Sequence, residues 1–131
     1  MPDEAKFDRA IRNAGNFINI DHSCELLHPT LPGVKLETDN ICQKKQTIFL
    51  FEGKTKDQAT AFSQLKIRAV SLQCYKEDYI NSNRFNKYYQ IRLFFYSLYT
   101  RTLIEFDLKG NRIKTNKFDD LGILAEILRK L

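Results

Sequence analysis

The sequence predicts an α/β domain, a central mixed β-sheet flanked by helices. Three observations carry that reading. Apolar residues recur at helical spacing in three segments, and short runs rich in β-branched and aromatic residues lie between them. The third is composition: 43% hydrophobic residues with only 5 glycines and 3 prolines suits a packed core rather than a disordered chain. No internal repeat or linker divides the sequence, so residues 1–131 read as a single domain.

Residues 3–17 place Phe7, Ala10, Ile11 and Ala14 on one helical face. Asp3 and Glu4 stand near its start, where the helix dipole favours acids, and Gly15 near its stop. Residues 19–33, with Pro29 and Pro32, show no sustained period and read as a loop, with at most a short strand over 17–20. Residues 34–41 alternate apolar and polar side chains, and after the charged break at 43–46 residues 47–51 form a short apolar, β-rich run. Two adjacent strands joined by a tight turn are expected, the second buried on both faces.

From Asp57 to about residue 76, Ala61, Phe62, Leu65, Ala69 and Leu72 mark an amphipathic helix. Residues 78–87 are polar and Asn-rich and read as a connection; 88–106 suit one long strand or two. Lys109-Gly110-Asn111 reads as a turn. Residues 118–131 form a terminal helix with Asp119 and Asp120 at its start and Arg129 and Lys130 at its end. The expected order is helix, strand, strand, helix, strand, strand, helix.

Several function classes find no support in the residues. The longest apolar run, Ile48-Phe49-Leu50-Phe51, is too short to cross a bilayer, and Met1-Pro2-Asp3-Glu4 lacks the pattern of a secretion signal, so neither membrane nor export is expected. Cys24, Cys42 and Cys74 form no Cys-x-x-Cys pair, and reduced thiols in a cytoplasm are the plain reading. His22, Cys24 and His28 lack a fourth zinc ligand at a recognised spacing. Neither histidine lies in the context of a nucleophile's base, and no glycine-rich phosphate loop is present. The net charge of +5 is a modest excess, compatible with a polyanionic partner.

The chemistry concentrates on Asp39, near the end of the first expected strand, and on Glu52 and Lys54 at the end of the second. Side chains two apart in a strand share a face, so Glu52 and Lys54 project together, with Gly53 leaving its backbone exposed between them. If Asp39 faces them, two carboxylates converge beside one ammonium group. Two hard oxygen ligands and a set of waters suit magnesium, and phosphate oxygens can replace some of those waters. Phosphodiester hydrolysis needs such an ion, to neutralise charge on the phosphate and to make a water nucleophilic. The bland alternative is an ordinary charged pair at a strand end.

Leu36-Glu37-Thr38-Asp39 followed by Ile48-Phe49-Leu50-Phe51-Glu52-Gly53-Lys54-Thr55 resembles the Asp…Glu-x-Lys signature of the PD-(D/E)XK nuclease superfamily. Phe51-Glu52-Gly53-Lys54 with Ala61-Phe62-Ser63-Gln64-Leu65 is similar to a set of type II restriction endonucleases. Ile91-Arg92-Leu93-Phe94-Phe95-Tyr96 and Leu103-Ile104-Glu105-Phe106-Asp107 resemble the paired strands that close those cores, so the resemblance spans about residues 34–115. It implies a restriction-endonuclease-like fold and a magnesium-dependent endonuclease acting on duplex DNA. Asp39 and Glu52, with the Gly53 backbone, hold Mg2+; Lys54 assists the attacking water; Gln64 supports the site from the helix; and Glu4 adds a further acid. Thr38 stands where such enzymes often carry proline.

Lys44, Lys45, Lys56 and Arg68 are the candidate phosphate contacts, within a basic middle region interleaved with Tyr75, Tyr79, Phe85, Tyr88 and Tyr89. Along the helix, Gln64, Arg68, Ser71 and Tyr75 share one side, which reads either as a polar edge facing phosphate or as a solvated face. Consecutive Tyr88 and Tyr89 point to opposite faces if they lie in a strand. A homodimer would set two centres on opposite strands, with exposed aromatics around Tyr79 to Tyr89 as pairing candidates. A chain this short has little room for base-reading segments, so its own loops or a separate specificity domain or subunit would supply them. Two rival functions are a catalytically silent DNA-binding or assembly subunit of the same fold and a repair or junction-resolving nuclease.

Overall fold

The computed structural model describes residues 3–53 and 57–131. Ten elements follow in order: α1 (Asp3–Ala14), β1 (Ile18–Leu27), β2 (Lys35–Lys44), β3 (Thr47–Glu52), α2 (Gln58–Cys74), α3 (Lys76–Asn81), β4 (Gln90–Ser97), β5 (Thr102–Phe106), β6 (Arg112–Lys117) and α4 (Leu121–Arg129). The strands form one six-stranded sheet in sequence order. All neighbours are antiparallel except β3 and β4, which run parallel and are joined by the crossover through α2 and α3. The expected mixed sheet with flanking helices is thus present.

Each face of the sheet has its own core. Ile41, Ile48, Leu50, Leu93 and Phe95 pack beneath α2 with Leu65, Ala69 and Leu72. Cys42, Phe49, Phe51, Phe94 and Tyr96 pack on the other face against Phe7 and Ile11 of α1 and Leu124 and Leu128 of α4. β3 contributes to both, which is why it reads as a continuous apolar run: Ile48 to Phe51 are all buried. α2 begins on Asp57, whose side chain caps the Thr60 amide, and α4 begins on Asp120, which caps Ile123.

Four expectations need correction. Residues 18–27 are a full edge strand, not a loop; only Cys24 and Leu26 turn into the core, and Asn19 and Ser23 adopt positive φ, so the alternation that betrays a strand is broken. The expected connection over 78–87 holds α3, which follows α2 at once and turns Tyr79 inward. β6 is a third additional element, an edge strand of Arg, Lys, Thr and Asn around a single Ile113, with no buried residue. The fourth concerns the aromatics between 79 and 89. Tyr79, Phe85 and Tyr88 are core residues, Tyr79 joined to Ser71 at 2.8 Å and Tyr88 donating to the Leu72 carbonyl, and Tyr89 is the one of the four that faces solvent. Tyr88 and Tyr89 precede β4 and do not lie in a strand, so their opposite exposure comes from the loop that leads into it. No helix among the described residues is long and apolar enough to cross a membrane.

Candidate active site

The β2–β3 register pairs Asn40 with Phe51, and one further step along both strands sets Asp39 opposite Glu52. Alternation along β2 and β3 puts both acids on the α2 face, alongside Ile41 and Leu50, and Asn40 on the α1 face beside Phe51. Glu52 is 1% exposed, whereas Asp39 is half-buried. Beyond Glu52, the Gly53 amide donates to Asp39 Oδ2 at 2.7 Å. This bond draws the aspartate of β2 to the carboxyl end of β3, where the parallel neighbour β4 also ends and where open α/β sheets tend to bind ligands.

Tyr96, near the end of β4, closes the site from below. A Cβ built on Gly53 would stand 2.0 Å from Tyr96 Cζ, so only glycine lets the phenol ring pass at this point. The ring stacks on Phe7 of α1 with centroids 3.8 Å apart. Its hydroxyl donates to Asn40 Oδ1 at 3.0 Å, and Asn40 Nδ2 donates to the Glu4 carbonyl at 2.9 Å, which ties the start of α1 to β2. Burial above all raises the Tyr96 pKa far above the ordinary phenol value, and the negative charges of Asp39, Glu4, Glu52 and Asp3 raise it further. One buried phenol therefore registers four acids, from α1, β2 and β3.

The other expected site residues fall into three groups. Gln64 is half-buried on α2, and its Oε1 is buried with no hydrogen-bond partner among the described residues. Arg68 is 8% exposed; its guanidinium donates to the Glu37 carbonyl from Nε at 2.9 Å and to the Gln64 carbonyl from Nη1 at 2.7 Å. With Ser71 fully buried as well, this side of α2 is neither a solvated edge nor an open one: it latches the helix onto β2. Lys44 and Lys45 lie at the β2–β3 turn, the opposite end of both strands from Asp39 and Glu52. Lys44 Nζ donates to the Arg129 carbonyl at 3.0 Å and the Leu131 carbonyl at 2.5 Å, complementing the end of α4. Lys54 and Lys56 lie outside the described residues.

Among the described residues, no set of three or more His, Cys, Asp or Glu side chains is placed to hold a metal ion. Asp39 and Glu52 offer a two-carboxylate donor set of hard oxygens, the kind magnesium uses because it keeps several waters. Sequence reasoning did not find Tyr96 or Asn40. The available signals were a tyrosine within a phenylalanine-rich strand and an asparagine in an otherwise apolar inward position. No family model, curated protein or solved structure matches the chain.

Proposed function

We propose that the chain is a magnesium-dependent endonuclease that hydrolyses phosphodiester bonds of duplex DNA, built on a restriction-endonuclease-like fold and acting as a dimer. The observation that carries the proposal is the Gly53 amide bond to Asp39 at 2.7 Å, because it joins the two halves of the Asp…Glu-x-Lys pattern at one sheet end. The shared placement of the two acids supports it, since Asp39 and Glu52 lie on the same face of the sheet at the ends of adjacent strands.

In this reading Asp39 and Glu52 are the ligands, and Gly53 fixes Asp39 through its amide while offering backbone beside them. Magnesium bound there supplies charge neutralisation at the phosphate and a more acidic water. Tyr96 stays protonated through the neutral range, so it positions Asn40 and the start of α1 and is no base. Gln64, on the helix that covers the acids' face, is assigned the role of an acceptor for a donor in the site, through its buried Oε1. Lys54, two residues beyond Glu52, is assigned the role of orienting the attacking water or taking its proton. Arg68 serves the α2–β2 contact through the Glu37 and Gln64 carbonyls.

The test is incubation of the protein and of Lys54→Ala with plasmid and with branched DNA, with magnesium and with chelator. Magnesium-dependent cutting by the native chain, lost on chelation and in Lys54→Ala, is the expected result; the substrate preferred separates a restriction-type enzyme from a junction resolvase. Equal cutting by both proteins, or cutting by neither, overturns the proposal.

A further inference from the structure

A second feature stands away from the acids. A cavity of about 580 Å³ opens where β4 begins and β5 ends, lined by Lys76, Tyr89, Gln90, Ile91 and Ile113 among others. Two acids also line it, Glu105, which is held by the Arg92 guanidinium, and Asp107, whose oxygens accept from the Lys109 amide and from Asn111. Gln90 lies five residues before Phe95, which pairs with Glu52, so the cavity is about 16 Å along the sheet from the acid pair. Its size falls in the range that small ligands of nucleotide dimensions occupy.

The chemistry of the cavity is specific. Tyr89 is 61% exposed, although its neighbour Tyr88 is buried, and an exposed aromatic ring carries an apolar face into water. Two ammonium groups attend that ring: Lys76 Nζ lies 4.6 Å and Lys87 Nζ 5.4 Å from its centroid. The backbone that carries the ring is anchored, because the Tyr89 amide donates to the Gln46 carbonyl at 2.8 Å. Ile91, Phe106 and the 58% exposed Ile113 supply apolar surface beside it. An exposed aromatic ring with two ammonium groups over it offers a stacking surface and positive charge together, which suits a flat base joined to a phosphate.

We infer that this cavity binds a nucleotide unit of single-stranded DNA, its base stacked on Tyr89 and its phosphate held by Lys76 and Lys87. The site goes beyond the hydrolytic reading and does not depend on it, since it concerns binding alone. A strand separated or frayed next to the acid pair would be captured there.

The test measures fluorescence anisotropy of a labelled oligothymidylate and of a labelled duplex, both with chelator so that no cutting intervenes. Tyr89→Ala should weaken single-strand binding about tenfold or more, Tyr89→Phe should keep it, and duplex affinity should change far less. Lys76→Ala and Lys87→Ala should each lower the salt dependence of single-strand binding by a fraction of one charge. Unchanged single-strand affinity in Tyr89→Ala, or equal losses for single strand and duplex, overturns the inference, as does saturable capture of a peptide library in place of DNA. Because magnesium is absent, failure here leaves the cleavage result standing, and failure of cleavage leaves this one standing.

Discussion

The β2–β3 hairpin buries polar side chains at both ends and handles them in opposite ways. At the turn end, Gln43 is fully buried and its amide is met by neutral partners. Oε1 accepts from Asn19 Nδ2 at 2.8 Å and from the Asn86 amide at 2.9 Å, while Nε2 donates to the Asn86 carbonyl at 2.9 Å. That end is a rivet joining β1, the turn and the approach to β4. At the open end Asp39 and Glu52 bring carboxylates, with Asp3 and Glu4 adding to the field at Tyr96. The turn end is thus a structural joint of neutral hydrogen bonds, whereas the open end gathers carboxylates, and under the proposed function a cation would bind there.

The sharpest way to break this contrast is Glu52→Gln. Under the proposed function it removes one of two ligands, and DNA cutting should fall by about a thousandfold, in the range that loss of an acid or base group produces. Plasmid nicking measured against time checks it, and a rate within a few fold of native removes the distinction between the ends. Gly53→Ala comes next. Its new Cβ collides with the Tyr96 ring, so urea unfolding should show a loss of about 1–3 kcal/mol, with cutting reduced as well because the Asp39 anchor shifts. Gln43→Ala should cost a similar or smaller amount, about 1–3 kcal/mol from hydrogen bonds left unmade, while leaving the magnesium dependence of cutting unaltered. A changed magnesium dependence there would mean the two ends are coupled.

The smallest effect is visible only in alkali. Burial above all raises the pKa of both Tyr88 and Tyr96, with the neighbouring Tyr79 phenol adding to it at Tyr88 and nearby carboxylates at Tyr96. The folded chain then keeps phenol protons that the unfolded chain releases near pH 10. Stability should be full below that pH and fall as it rises further. Absorbance at the phenolate band and circular dichroism, followed together, should show the last tyrosines of the 6 ionising only as the fold is lost. Complete ionisation with the fold intact contradicts the buried placement.

The legible parts of this molecule are those where local pattern and burial agree. The run Ile48 to Phe51 declared a doubly covered strand, and α4 declared itself through an apolar face and complementary termini. β1 and β6 were hidden because edge strands need only one inward side chain in two or fewer, and a chain of Arg, Lys, Thr and Asn has the same composition as a loop. α3 was hidden because six residues give too short a window for a helical period. Within the site, Asp39, Glu52 and Gly53 were readable because they are close in sequence across one turn. Tyr96 lies 43 residues beyond Gly53, and what joins them is the parallel pairing of Glu52 with Phe95, a relation that exists only once the crossover through α2 has formed. The carbonyl contacts of Arg68 were not legible either, because a cation at helical spacing from Gln64 looks the same in sequence whether it faces outward or, as here, meets two backbone carbonyls.

The proposed centre consists of two carboxylates sharing one divalent ion. Calorimetric titration of manganese, as a magnesium surrogate, into the native chain, Asp39→Asn, Glu52→Gln and the double variant tests this most directly, with circular dichroism confirming that each is folded. If the acids share an ion, each single variant should lose the same site and the double variant should lose nothing more, a strongly non-additive cycle. Losses that simply add, or a native-like site in either single variant, would show that Asp39 and Glu52 act apart and that the proposed centre does not exist.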